Sequence, residues 1–409
     1  MKRTILALVV FIATAAAAQI SPQFFAMHAS SSYPWPTAAG VPFSSWRSLA
    51  GNVKWSEINT APGVYDWTKL DRWLTDTQEY GQSMLYTVYY TPTWASQCPT
   101  CTCASGHSAG CYPPVDLNSD GSGTDQDLKD FITALMQHVG PGKIQYLEVW
   151  NEPNIHTEWG GTMQQMVRMT QDVRTVAKSL DPHVQIVSPA ETGDGQLALK
   201  MTWLLGYLNA GGGQYVDIIG LHGYVYSPED SITRLNATTA AMARFGQSNK
   251  PIFVTEGSWC CEHTPIATPE QPGFTFRQYL SLLSTPAQRF YLFNFESVNE
   301  GNLWDLSAAS MTSNGFAYKL FYNWLVGATM TAPCQAQAGN NSVWSCTFTK
   351  SQGYQAEAIW STTTPLGSFI TVSVPPQYVQ YRDLYGHVYP IENRQVQVGY
   401  APIWLENEL

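Results

Sequence analysis

The stretch KIQYLEVWNEPN, Lys143 to Asn154, joins an apolar run that reads as a buried strand to a carboxylate set between an asparagine and a proline. Pro153 cannot continue a strand ladder, and Asn151 and Asn154 suit a turn, so Glu152 stands where a strand stops. A solvated loop glutamate accounts for these residues taken alone. The remainder of the chain decides whether strand ends of this kind are gathered in one place.

Working outward, strand and helix patterns alternate from about residue 23 to 326. Eight runs read as strands: QFFAMHAS, SSWRSLAG, SMLYTVYY, IQYLEVW, VQIVSPAE, VDIIGLHGY, PIFVTEGSW and RFYLFNFES. Helical stretches lie between them: LDRWLTDTQEYG, DQDLKDFITALMQHVG, MQQMVRMTQDVRTVAKSL, LALKMTWLLGYLNAG, ITRLNATTAAMARFG and TFRQYLSLLS, with FAYKLFYNWLVG after the eighth strand. Only the first gap lacks a helix signal. Strands that read as continuous apolar runs are buried on both faces, and eight strand-then-helix units predict an α/β fold, a (β/α)8 TIM barrel. A doubly wound open sheet is the alternative, but no glycine-rich phosphate loop follows the first strand.

After Ala328 the texture changes to short strands, VWSCTFTK, YQAEAIWS, FITVSV, YVQYRDL and VQVGYAPIWLE, separated by Gly, Pro, Asn and Ser. These predict a smaller C-terminal antiparallel β-domain, β-sandwich-like and accessory, over 327–409, beside a catalytic barrel over 19–326. The first residues, MKRTILALVVFIATAAAAQ, have the basic, apolar and small-residue order of a cleavable signal peptide over 1–18, and the protein is expected to be secreted. The leader's apolar core is short for a membrane span, so no membrane anchor is expected.

The formal net charge is −10, and loss of Lys2 and Arg3 with the leader makes it −12. With no basic run, nucleic acid is excluded as a natural partner. Aromatic residues are as frequent as charged ones, 13% each, so rings are available for a binding cleft as well as for the core. The expected partner is an oligo- or polysaccharide, and the expected state is a monomer. Eight cysteines suit an oxidising compartment. CPTCTC with His107 has the letters of a zinc site, but export and the even count favour disulfides. Cys334 and Cys346 pair naturally across a hairpin around AGNNS. Cys98, Cys101, Cys103, Cys111, Cys260 and Cys261 follow the third and seventh strands and are expected to form three disulfides at the rim of the barrel mouth.

In such a barrel the active site lies at the C-terminal strand ends. Glu152 ends the fourth strand and Glu256, in VTEGSW, ends the seventh. Two carboxylates converging in a cleft are what glycosidic cleavage with retention requires, one giving a proton to the leaving oxygen and one attacking the anomeric carbon. Glu256 must be charged and Glu152 must hold its proton before reaction, so their environments must differ.

The motifs WNEPN and TEGSW resemble the retaining glycoside hydrolases of clan A, and KWSEINTAPGVYDWTKLDRWL, YTPTWAS and GNLWDL look most like family 39 and its relatives. The resemblance implies that Glu152 is the acid/base and Glu256 the nucleophile. It implies that Asn151 binds the sugar 2-hydroxyl, that His222 and Tyr224 in LHGY orient the nucleophile, and that Arg47 keeps it ionised. Strand eight departs from the clan pattern, with FNFES where a tryptophan is usual. Phe295 is expected as a smaller platform, with Trp304 or Trp259 contributing from neighbouring loops, and Trp94 is expected among the substrate-binding residues. Glu57 and Glu191 sit in no matching motif, and structural or substrate-positioning roles are expected for them.

The implied function is a secreted retaining β-glycosidase that needs no cofactor. Its rival is a non-catalytic carbohydrate-binding barrel protein. A separate pattern, Asp116, Asn118 and Asp120 with Gly121 and Asp127, has the spacing of a structural calcium loop, and an Asx-rich turn capping the next helix explains the same letters.

Overall fold

The computed structural model describes residues 18–30, 33–103, 110–193, 201–259, 270–297, 300–362 and 368–407. The predicted leader therefore lies outside the described residues except for Ala18.

Eight parallel strands form the central sheet: β1 (Phe25–Met27), β2 (Ser45–Arg47), β3 (Ser83–Val88), β4 (Tyr146–Val149), β5 (Gln185–Val187), β6 (Ile219–His222), β7 (Ile252–Glu256) and β8 (Ala287–Leu292). They are hydrogen-bonded in the order β5-β4-β3-β2-β1-β8-β7-β6. The bridges Val187↔Ile218 and Glu191↔Leu221 close the gap between β5 and β6, so the sheet curls into the expected barrel. Its interior carries Ala26, Leu85, Val187, Ile218, Phe253 and Tyr291, with Tyr146 partly buried beside them.

Helices α1 (Thr68–Glu79), α2 (Gln126–Val139), α3 (Met163–Leu180), α4 (Thr202–Asn209), α5 (Asp230–Arg244), α6 (Gln271–Leu283) and α7 (Ser313–Leu325) surround it. In α2 the buried residues Leu128, Phe131, Ile132, Leu135, Met136 and Val139 recur at helical spacing, which is why this segment lies flat against the sheet. Thr162 and Gln165 form a reciprocal capping box that fixes the start of α3. The connection from β1 to β2 holds no helix among the described residues, as its sequence predicts. Part of the sequence expected for α4 lies outside the described residues.

Beyond α7 come β9 (Thr329–Gln337), β10 (Asn340–Thr349), β11 (Gln355–Ser361), β12 (Ile370–Ser373), β13 (Gln380–Arg382), β14 (Val388–Pro390), β15 (Gln395–Val398) and β16 (Ile403–Glu406). Six make an antiparallel sheet in the order β9-β10-β11-β16-β13-β14, and β12 pairs with β15. Val343, Ile359 and Leu405 meet Val396 and Val398 between these sheets. The other face of the larger sheet rests on α6 and α7, with Trp404 stacked at 5.5 Å from Trp324 and 4.9 Å from Phe348. Glu229 locks this contact by accepting from the Trp360 indole (2.7 Å) and from two nitrogens of Arg277.

Two details differ from the sequence reading. β9 is missing from the strand patterns and is foreseen only as the first arm of the hairpin around AGNNS, because it is half-exposed, interrupted by register shifts and contains Pro333. VQVGYAPIWLE, read as one strand, is two strands in different sheets, split where Pro402 cannot donate to a ladder. Cys334 and Cys346 are bonded across the β9–β10 hairpin, as expected.

Candidate active site

The question raised by WNEPN has a backbone answer. Trp150 (φ 75°) and Glu152 (φ 46°) both occupy the left-handed region, one on each side of Asn151. In a regular strand Glu148 and Asn151, three residues apart, would point to opposite faces. The two left-handed residues break that alternation, and both side chains reach the same guanidinium. Backbone bonds from Trp150 to Val88 (2.9 Å) and from Glu152 to Ala190 (2.9 Å) hold this strained segment, whose cost is of order 1–3 kcal/mol per residue.

That guanidinium belongs to Arg47, fully buried at the end of β2. It donates to Glu148 (2.7 Å), Glu256 (2.6 Å) and Asn151 (2.8 Å). Burial pulls its pKa down, but Glu148 and Glu256 outweigh burial and hold it above its ordinary value. One Glu256 oxygen takes the Arg47 bond, and the other accepts from the Tyr224 hydroxyl at 2.8 Å. Burial, reinforced by the charge of Glu256, keeps the Tyr224 hydroxyl protonated and donating.

Glu152 lies in a different environment. Its Oε1 is 2.8 Å from His222 Nδ1, while His222 Nε2 is 3.7 Å from Glu256. The resemblance assigned His222 to the nucleophile, yet its hydrogen bond is to Glu152, and Tyr224 is the one that binds Glu256. Burial lowers the His222 pKa to about 4, against the pull of Glu256, so the ring is neutral at working pH. Burial raises the Glu152 pKa, which Thr192, Arg47 and Arg234 only partly offset. The ligand atoms of Glu152, His222 and Glu256 lie within 4.8 Å of one another, compact enough for a metal ion. The guanidinium already bonded to Glu256 disfavours a second cation there.

The sequence did not single out four neighbouring residues. Glu148 is a fully buried charge in an otherwise apolar strand, and that anomaly was a readable signal. Glu158 accepts from the hydroxyls of Tyr89 and Tyr90, and burial with the charge of Glu256 raises its pKa to about 7. Its turn is held by a bond from Gly160 to the Cys111 carbonyl (2.8 Å), and a side chain at Gly160 would strike the Tyr112 ring at 2.7 Å. Burial also raises Glu300 to about 7, with Glu256 and Glu152 adding to the shift. Phe293 is half-buried at the end of β8, with its ring 4.8 Å from the buried His28.

The aromatic candidates separate. Phe295 is 1% exposed and stacked on Trp304 at 6.0 Å, so it is core, and Phe293 is the ring left accessible on that strand. This corrects the expectation of a Phe295 platform, because Phe295, three residues past the end of β8, is packed inward while Phe293, the first residue past it, stays half-exposed. Trp259 is 4% exposed and packs edge-on against Phe274. Trp304 is half-buried in a short strand. Trp94 donates to the Asn59 carbonyl and lines a groove of about 320 Å³ with Tyr65 and Asp127, apart from the glutamate pair.

Disulfides Cys98–Cys101 and Cys103–Cys111 lie within the loop between β3 and α2, while Cys260 and Cys261 lie outside the described residues. In the acidic loop, Asp116 accepts from Thr124 and from the backbone of Gln126, the first residue of α2, and Asp120 accepts from Ser122. Asn118 donates to Ser122, and Asp127 lies in the first turn of α2. Glu57 caps a short helix at Lys54, and Glu191 accepts from the Leu204 backbone (2.9 Å).

Comparison with known proteins gives the same direction. Residues 119–302 match the glycosyl hydrolase catalytic core. The chain thus resembles the clan A glycoside hydrolases, as the motifs implied. A family 39 glycoside hydrolase from the gut symbiont Bacteroides cellulosilyticus WH2 shares the fold with a TM-score of 0.70 at 15% identity, over 96% of this chain and 83% of that one. A monomeric beta-xylosidase from Caulobacter crescentus CB15 does so with a TM-score of 0.65 at 14% identity, over 96% and 98%. A Beta-xylosidase of Geobacillus stearothermophilus is 23% identical over a stretch covering 35% of this chain, and the match spans 31% of that relative's length.

Proposed function

We propose that this protein is a retaining β-glycoside hydrolase that acts on oligo- or polysaccharides by double displacement. The observation that carries the reading is the approach of Glu152 and Glu256 to within 4.8 Å, with Glu256 bonded to Arg47 and Tyr224 and Glu152 bonded to His222. Retention needs carboxyl groups about 5–5.5 Å apart, whereas inversion needs about 6.5–9.5 Å to admit water.

In the first step the Glu256 carboxylate, held by Arg47 and Tyr224, attacks the anomeric carbon while the Glu152 carboxyl gives its proton to the departing oxygen. Burial holds Glu152 in the acid form, and neutral His222, 2.8 Å away, orients its carboxyl. Once Glu256 is esterified, Glu152 is the carboxylate and takes a proton from water as the water attacks the same carbon, breaking its bond to Glu256 and releasing that carboxylate. Asn151 accepts from Arg47 through its Oδ1, and its amide donates to the sugar 2-hydroxyl in this reading. Side chains and water carry every step, so we assign no cofactor to the reaction. The acidic loop at Asp116 remains a proposed calcium site. The leader-like start and the cysteine pairs support export, and the similarity to a monomeric beta-xylosidase supports a monomer. Because two similar proteins are β-xylosidases, β-xylosides are the first substrates to try.

The test is turnover of an aryl β-xyloside and of a polysaccharide panel, with the product anomer followed by proton NMR. Glu256→Gln should lose about 10⁴-fold or more on every substrate. Glu152→Ala should spare the first step for leaving groups that need no proton, with azide rescuing turnover as a β-glycosyl azide. Absence of turnover by the unmodified protein across the panel would favour the carbohydrate-binding reading, and wild-type rates in either variant would remove the assignment.

A further inference from the structure

At the opposite pole of the barrel, where the strands begin, lies a cavity of about 690 Å³. The starts of β4, β5, β7 and β8, the end of α6, the N-terminal segment and β9 border it, and it is open to solvent on one side. Its size falls in the range of small-molecule sites, about 300–1,000 Å³. Phe24, Phe253, Leu283 and Met330 give it apolar walls.

Arg289 is the one ionic side chain among its described lining residues, and it is 5% exposed. Its guanidinium lies over the rings of Tyr146 (4.8 Å) and Phe253 (5.0 Å). It donates to Ser83 (3.0 Å), Tyr291 (3.4 Å), Gln23 (2.9 Å) and Tyr146 (3.3 Å), every one a neutral oxygen, and its Nε has no partner. A buried charge is ordinarily paired with an opposite one, because neutral oxygens replace its hydration only in part. No carboxylate is within ion-pair distance of Arg289 among the described residues, whereas a cavity large enough for a ligand borders it.

We propose that this cavity is a binding site for a small organic anion, a carboxylate or phosphate monoester carried on an apolar body. The acid group pairs with Arg289 and the body rests on Phe24, Leu283 and Met330. Gln288, also in the lining and exposed, offers a neutral amide donor beside the charge.

Phenyl phosphate is the probe, with benzyl alcohol as the neutral comparator and inorganic phosphate as the anion without a body. Titration calorimetry on the full chain should show one saturable phenyl phosphate site, with benzyl alcohol and inorganic phosphate each weaker by about tenfold or more. Arg289→Gln should weaken phenyl phosphate by a similar factor. Gln288→Glu, a change at an exposed position, should do the same by repulsion without disturbing the fold, which covers the case in which Arg289→Gln fails to fold. Glu256→Gln should leave the binding intact, separating this site from the barrel mouth. No saturable binding to the unmodified protein would overturn the proposal, as would binding that Gln288→Glu leaves unchanged or an affinity for benzyl alcohol equal to that for phenyl phosphate.

Discussion

Two buried arginines stand at the two ends of one barrel, and their partners are opposite in kind. Arg47, at the end of β2, is bonded to two carboxylates and to Asn151. Arg289, near the start of β8, is bonded to hydroxyls and one side-chain amide and is stacked on two rings. At the mouth the cation exists to hold anions in place. At the base the cation is merely accommodated, and its charge is left for something else to meet. The same side chain is thus met by carboxylates at one pole and by neutral oxygens beside a cavity at the other, and the partner set is what separates the two proposed sites.

The largest effect expected from this contrast is on folding stability. Arg47→Met strands Glu148 and Glu256 as uncompensated buried charges and should cost about 3–5 kcal/mol in urea unfolding. Arg289→Gln orphans only neutral oxygens and should cost about 1–2 kcal/mol. Equal losses at the two sites would break the comparison.

A smaller effect is expected at Tyr224, which binds Glu256 from the side opposite Arg47. Tyr224→Phe removes one charge-assisted hydrogen bond, and kcat/KM should fall about 10- to 100-fold with the fold intact. An unchanged rate would show that Arg47 alone positions the nucleophile.

The finest test is the pH profile. Glu152 must be protonated in the first step, and burial raises its pKa, so activity should fall as pH rises through a value above the ordinary carboxylate range. Glu152→Ala should lose that alkaline limb on an activated aryl glycoside. His222, at about 4, stays neutral through the same range and should add no limb of its own there.

The barrel was legible in the sequence because doubly buried parallel strands and amphipathic helices each leave their own period, and all eight strands fall where that period puts them. The C-terminal sheets were less so. β9 is half-exposed with an irregular register, and β15 and β16 run on from one another in a sequence that gives no sign of the change of sheet. In the site, Glu152, Glu256, Asn151, Arg47 and Tyr224 were readable from strand ends and motif. The ring at β8 was not, since Phe293 and Phe295 have the same letter and alternation, and it is tertiary contacts, the Trp304 ring and backbone bonds to His28 and Leu303, that hold Phe295 inward.

By itself the sequence determined the periodicities, the positions of the two glutamates at strand ends and the hairpin that Cys334 and Cys346 close, because all of these depend on local order along the chain. The tertiary structure alone decided which acid each neighbour serves. His222 goes to Glu152, Tyr224 to Glu256, and Glu148 and Asn151 share Arg47 across a break in strand alternation. It also left Arg289 without a carboxylate. Such pairings are set by distances of about 3 Å between strands far apart in sequence, and a linear pattern carries no information at that scale.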